Sequence, residues 1–332
     1  MKKLLNTLFV TQPDTYLHLD GDNVVLTKNK EKLGRIPLHN LEAIVAFGYT
    51  GASPALMGYC AERNVSITFL TMHGRFLARV IGESRGNVTL RKKQYRISDE
   101  EKISAIVARN FITGKIYNNK WILERMTRDY ALRINIQKFK NVSRQLTEIL
   151  KEVRKCSDLE SLRGWEGQAA NNYNRCFDDM ILQQKEDFYF HARSRRPALD
   201  NVNAMLSFAY TLLANDMKSA LESVGLDAYV GFLHRDRPGR ASLALDLMEE
   251  LRGVFADKFV LSLINKKALN KKDFYKKENG AVIMTEDARR KFLSCLAKQK
   301  TGKNNTSFSR RKNFLGVSTV CPGFTAGQVF EK

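Results

Sequence analysis

The sequence predicts an α+β multidomain protein, with a small N-terminal β-rich, β-sandwich-like domain followed by a larger all-α-helical domain. Three observations carry this reading. Short β-type runs punctuated by turn residues occupy the chain up to about residue 92. Apolar residues then recur with a period near 3.6 over almost all of 98–295. The length of 332 residues exceeds the ~100–200 typical of one domain. The expected boundaries are 1–95 for the β-rich part, 96–296 for the helical part and 297–332 for an atypical basic tail.

The β-type runs are Leu5–Val10, Tyr16–Leu19, Asn23–Thr27 and Gly34–Pro37. Asp20-Gly21-Asp22-Asn23 joins the second to the third as a tight hairpin. Leu41–Phe47 is a more apolar strand. Pro54 to Arg63 changes to helical spacing through Leu56, Met57, Cys60 and Ala61. Strands resume at Val65–Leu70 and, after His73-Gly74, at Phe76–Ile81.

Ser98-Asp99-Glu100-Glu101 has helix-capping character. The long helix it introduces carries Ile103, Ile106, Val107, Phe111, Ile112 and Ile116 on one side. A second amphipathic helix spans 136–155 through Val142, Leu146, Ile149, Leu150 and Val153. The tail from 297 lacks helical periodicity, and its composition reads as disorder.

Lysine and arginine number 55 against 35 aspartates and glutamates, a net charge of +20. Such a surplus points to an anionic partner, with nucleic acid favoured over lipid. Cys60, Cys156, Cys176, Cys295 and Cys321 are odd in number and form no CxxC pair, which speaks against a zinc knuckle or a disulfide framework and for a reducing compartment. The N-terminal apolar run breaks at Asn6, so it reads as a strand rather than a signal peptide. No window of 18 apolar residues is free of charge, so no membrane span is expected.

In so basic a chain, carboxylates at apolar helix positions need an account. Glu166 sits among Gly164, Gly167, Ala169 and Ala170, small residues that permit close approach by a backbone or another polymer. Alone it reads as a helix cap or a surface glutamate at a helix–helix crossing. His234 ends the apolar run Val230–Leu233 beside a Pro-Gly turn, where a ring nitrogen can meet a metal or phosphate; a core histidine is the plainer reading. Ser242 is placed to cap the next helix. Asp246 and Glu249 then share a face of that helix among Leu, Ala and Met, and like charges so placed destabilise a helix unless a cation intervenes. Arg252 lies away from that pair on this reading. A divalent metal shared with Glu166 and His234 answers the repulsion, and oxygen ligands plus one imidazole suit Mg2+ or Mn2+.

Candidate DNA contacts are Arg193, Arg195 and Arg196 beside the aromatic run Phe188–Phe190, together with Arg235, Arg237, Arg240 and Arg252. Tyr173 reads either as a group that orients DNA or as a packing residue.

These segments carry a resemblance. Gly164-Trp165-Glu166-Gly167, Gly231-Phe232-Leu233-His234 and Ser242 through Arg252 fall in the order and at the spacing of the CRISPR-associated adaptation endonuclease family, the integrase subunit of the spacer-acquisition complex. The opening Leu4-Leu5-Asn6-Thr7-Leu8-Phe9-Val10-Thr11 resembles the start of its type I-C branch. The resemblance covers roughly 1–295; the stretch after Leu296 departs from it.

The resemblance implies a β-rich dimerisation domain and a helical catalytic domain. It implies metal ligation by Glu166, His234 and Glu249, with Asp246 supporting the metal or orienting His234. It implies a homodimer that joins the small ferredoxin-like adaptation protein in a heterohexamer, four of this chain to two of the partner, in the prokaryotic cytoplasm. The implied substrates are double-stranded spacer precursor and CRISPR repeat, joined by attack of a 3′-hydroxyl. A metal-dependent nuclease or resolvase on branched DNA, and a non-enzymatic nucleic-acid-binding protein, are the alternatives.

Overall fold

The computed structural model describes residues 7–82 and 88–300. They fall into two compact units, one of residues 7–82 with 289–300 and the other of 88–288.

The first unit contains β1 (Thr7–Val10), β2 (Tyr16–Asp20), β3 (Asn23–Lys28), β4 (Glu31–Pro37), β5 (Ala43–Phe47), β6 (Gly51–Ala52), α1 (Pro54–Glu62), β7 (Ser66–Leu70) and β8 (Phe76–Val80). They form two four-stranded sheets, ordered β1-β5-β7-β8 and β4-β3-β2-β6. The β2–β3 hairpin pairs Asp20 with Asn23 and turns through Gly21, whose φ of 56° is free of the Cβ penalty. At the β3–β4 turn Asn29 and Lys30 both take positive φ, 49° and 70°, the pattern of a two-residue hairpin loop. Helix α1 begins at Pro54, and Ser53 Oγ accepts from the Leu56 N–H at 3.2 Å. Val10, Ile44 and Ile67 of one sheet, Leu17 and Val24 of the other, and Leu56 and Cys60 of α1 share one buried core. The expected β-rich unit, two-sheeted with one inserted helix, is the one observed.

The second unit is helical: α2 (Val88–Asp99), α3 (Glu101–Asp129), α4 (Ile136–Lys155), α5 (Leu159–Asn174), α6 (Asn201–Ser223), α7 (Ser242–Leu251) and α8 (Lys258–Asn265). A π-helical segment, Arg252–Asp257, links α7 to α8. Side chains that accept from backbone N–H groups cap α4, α5 and α6: Asn135 from Lys138, Asp158 from Ser161 and Asp200 from Asn203. The 29-residue α3 is the spine and packs against α4, α5 and α7.

Four features differ from the sequence expectation. Helical structure starts at Val88, so Ser98–Glu101 marks the break between α2 and α3 rather than the first helix start. The N-cap of α3 is Glu100, with no side-chain cap. The helical part also holds a hairpin of three-residue strands, β9 (Phe274–Lys276) with β10 (Val282–Met284). A last helix, α9 (Glu286–Lys300), runs past residue 296. The rest of the basic tail, and Leu4 to Asn6 of the opening motif, lie outside the described residues. No described helix is long and apolar enough to cross a membrane.

Candidate active site

Four elements of the helical unit bring charged groups together. Glu166 comes from α5, Glu249 from α7, His234 from the loop before α7, and Lys115 from α3. Lys115 lies on the buried stripe of α3 with Ala108, Phe111, Ile112, Ile116 and Asn119. Its Nζ donates to Glu249 Oε2 at 2.7 Å and also to Glu166 Oε1. Arg252 reaches the other oxygen of Glu249 at 2.6 Å. The side chains of Lys115 and Glu249 are each only 5% exposed, so both charges need partners within the protein. Burial alone would raise the Glu249 carboxyl, but the charges of Lys115 and Arg252 outweigh it and hold it below the ordinary range.

Asp246 does something else. Fully buried, its carboxylate accepts from the backbone N–H groups of Phe232, Leu233 and His234 at 2.7, 2.9 and 3.0 Å. Its Oδ1 also lies 2.6 Å from His234 Nδ1. A carboxylate only accepts, so Nδ1 carries a proton, and in the neutral imidazole Nε2 is then the nitrogen with the lone pair. Asp246 therefore shapes the loop and sets the histidine tautomer at once. From the other side, Arg163 of α5 donates twice to the Leu233 carbonyl, at 3.0 and 2.7 Å. The loop is thus tied both to the helix of Glu249 and to the helix of Glu166.

The close packing needs glycine at two points. A Cβ on Gly231 would come within 2.6 Å of Ser242 Cβ and 3.0 Å of the His234 carbonyl oxygen. A Cβ on Gly253 would come within 2.3 Å of Asn119 Oδ1. Gly164 and Gly167 are different: a Cβ at either would meet nothing within 4 Å, so no other segment packs closely on α5 at these two glycines. Ser242 does not cap α7; Ala241 holds that position, and the buried Ser242 hydroxyl donates to the Arg235 carbonyl at 3.3 Å.

Glu166 and Glu249 converge on one positive charge, which in this structure is the Lys115 ammonium. Among the described residues, no three His, Cys, Asp or Glu side chains close up on one another as a metal cluster. The donor set itself fits a hard divalent cation: two carboxylates already drawn to a single cation, and an imidazole nitrogen whose other nitrogen is fixed by a buried carboxylate.

The model of the family described as CRISPR associated protein Cas1 matches residues 8–298. The chain is 45% identical over 317 residues to "CRISPR-associated endonuclease Cas1 1" of Chlorobaculum tepidum, covering 96% of this chain and 92% of that one. The chain belongs to the Cas1 family. A Cas1 endonuclease of Rhodospirillum rubrum is 44% identical over 321 residues, with the same coverage. Among solved structures, a Cas1 protein from Thermotoga maritima superposes with a TM-score of 0.74 at 20% identity, covering 94% of this chain and 97% of that one. A casposase bound to an integration product superposes at 0.72 with 22% identity, covering 95% and 99%. At these identities the two structures establish the Cas1-like fold.

Within this Cas1 family chain the candidate DNA-contacting residues separate into two groups. Arg195, Arg196, Arg235 and Arg237 are exposed. Arg193 instead braces the interior, donating to Asn203 Oδ1 at 2.6 Å and Ser207 Oγ at 2.9 Å and lying over the Tyr210 ring. Arg240 is partly buried and donates to the Arg235 carbonyl. Arg252, read from sequence as remote from the acidic pair, is bound to Glu249 and lies 4.9 Å over the same Tyr210 ring. Residues three apart on a helix are neighbours, and the start of the π-helical segment keeps Arg252 on that face. Tyr173 is buried with its ring edge-on to Phe177, the packing position of the two read from sequence. Lys115 was missed altogether. Its signal was a lysine spaced four after Phe111 on an apolar stripe.

Proposed function

We propose that this Cas1 family chain is the strand-joining subunit of spacer acquisition, of the type I-C branch, and that Glu166, His234 and Glu249 hold Mg2+ or Mn2+. The observation that carries this reading is the convergence of two carboxylates from different helices on one cation, beside a histidine whose ligand nitrogen is fixed by Asp246. A bound divalent ion supplies Lewis acidity that favours ionisation of a hydroxyl and offsets charge on a phosphodiester.

The reaction is transesterification. The 3′-oxygen of a spacer precursor bonds to the phosphorus at a repeat end, the P–O3′ bond of that phosphodiester breaks, and the flanking strand leaves with a 3′-hydroxyl, its oxygen taking up a proton as the attacking hydroxyl loses one. Asp246 keeps the His234 proton on Nδ1 and so holds Nε2 as a donor atom. Arg163 fixes the loop against α5. Exposed Arg195, Arg196, Arg235 and Arg237 meet phosphates without reading bases. Water in place of the 3′-hydroxyl turns the same site into a nuclease.

The assembly proposed is a homodimer, two of which flank a dimer of the small adaptation protein in the prokaryotic cytoplasm. Structural neighbours solved as Cas1–Cas2 complexes with a reverse transcriptase fusion support a partner of that kind. The test combines the chain, its small partner, a short duplex with free 3′ ends, a supercoiled repeat plasmid and Mn2+. Covalent joining is expected; cleavage without joining favours the nuclease on branched DNA, and neither reaction favours a binding protein.

A further inference from the structure

Lys115 bridges two carboxylates that the proposed function assigns to a metal. Three facts define its position. Its side chain is 5% exposed, so its charge is not shared with water. It hydrogen-bonds Glu166 and Glu249 together, from α5 and α7, while itself standing on α3. Arg252 holds the other oxygen of Glu249, so a cation entering between Glu166 and Glu249 meets Glu249 at the oxygen that Lys115 already occupies.

Lys115 and Arg252 together offset Glu166 and Glu249, and the buried Asp257 carboxyl is a further acidic group that both cations face. A divalent ion added to that set would stand within contact distance of an ammonium in a buried site. Two like charges so close repel strongly at the low effective dielectric of a protein interior. The metal and the ammonium therefore exclude one another from the same pair of oxygens.

We infer that Lys115 is a built-in competitor for the metal: its ammonium holds Glu166 and Glu249 together when no divalent ion is bound, and must withdraw when one binds. Lys115 is a positioning residue in this account. It keeps three helices assembled around a pair of carboxylates that would otherwise repel, at the cost of weaker metal affinity. The inference rests on the assignment of Glu166 and Glu249 as metal ligands.

The test is a Mn2+ titration of the full chain without DNA, following the six-line electron paramagnetic resonance signal of free Mn2+. Wild type, Lys115→Met, Lys115→Gln and Glu166→Gln are compared. Removing a unit positive charge beside the ligand oxygens is expected to tighten Mn2+ binding at least about tenfold in both Lys115 variants. Mn2+ should also raise their melting temperature more than that of wild type. A merely structural lysine would leave affinity unchanged or weaken it, and either result overturns the inference. A Lys115 variant that is unfolded in EDTA and refolds in Mn2+ supports it; one that stays unfolded in saturating Mn2+ overturns it. Wild type and Glu166→Gln binding Mn2+ equally, or neither binding it, overturns the site assignment itself and this inference with it.

Discussion

His234 Nδ1 lies 2.6 Å from Asp246 Oδ1, and the same carboxylate gathers the backbone N–H of His234 at 3.0 Å. One buried side chain thus fixes both where the histidine stands and which of its nitrogens is bare. A pair of acidic residues three apart on a helix has two separate tasks: Asp246 organises a loop, and Glu249 faces cations.

Asp246→Asn tests that division. An amide has one acceptor oxygen where the carboxylate uses two, and its NH2 cannot accept from the loop. The variant is expected to lose about 3 kcal/mol of unfolding free energy, because buried N–H donors of the loop lose their acceptor. Strand joining should fall by about 100-fold or more, as with His234→Ala. Urea unfolding and a joining assay on the same preparations check both; joining at wild-type rate would remove Asp246 from the site.

Gly231→Ala probes the loop from within. Its Cβ would collide with Ser242 and with the His234 carbonyl, both on segments pinned by hydrogen bonds. Overpacking of this kind costs about 1–3 kcal/mol. Because the clash bears on His234 directly, Mn2+ affinity should weaken as well. Gly164→Ala, where a Cβ meets nothing within 4 Å inside α5, is the control and should stabilise by about 0.5–1 kcal/mol rather than destabilise. A stable Gly231→Ala protein with intact Mn2+ affinity would contradict the close approach.

Asp257 predicts a pH effect one step behind the proposed ligands, through Arg252 and Lys115. Burial pushes its carboxyl up to about 6, although the Tyr210 hydroxyl and the Arg252 charge pull the other way. A carboxyl raised in the folded state binds more protons folded than unfolded. The stability it contributes is therefore full below its unfolded pKa near 3.8 and is lost as pH rises through about 6. Relative to Asp257→Asn, whose amide does not titrate, wild type should lose about 3 kcal/mol across that window. Urea midpoints at intervals from pH 3.5 to 7.5 measure the difference, and a pH-independent difference would contradict the raised Asp257 carboxyl.

Much of the fold is legible because the local signals agree with the tertiary structure. The Asp20–Asn23 hairpin announces itself by turn chemistry, and α4 by an apolar stripe on an otherwise charged helix. What is illegible has physical reasons. Helix α2 is lysine- and arginine-rich and buries only Leu90, Gln94 and Ile97, so its period is faint. Strands β9 and β10 are three residues each and lie in a lysine-rich stretch that reads as a loop.

The candidate site divides the same way. Glu166, His234, Asp246 and Glu249 stand out as acidic or imidazole groups in apolar or glycine-rich settings. Lys115 does not, because one lysine among 55 basic residues is easily taken as surface charge. Only its place on the buried stripe of α3 distinguishes it.

The central claim is that Glu166 and His234 serve one metal-dependent strand-joining site. The most direct measurement is covalent joining of a 3′-hydroxyl duplex to a repeat plasmid in Mn2+ with the small partner, comparing wild type with Glu166→Ala and His234→Ala. Joined product is expected from wild type, abolished by EDTA, and none from either variant while both still bind DNA. Joining that persists in Glu166→Ala or in His234→Ala would contradict it.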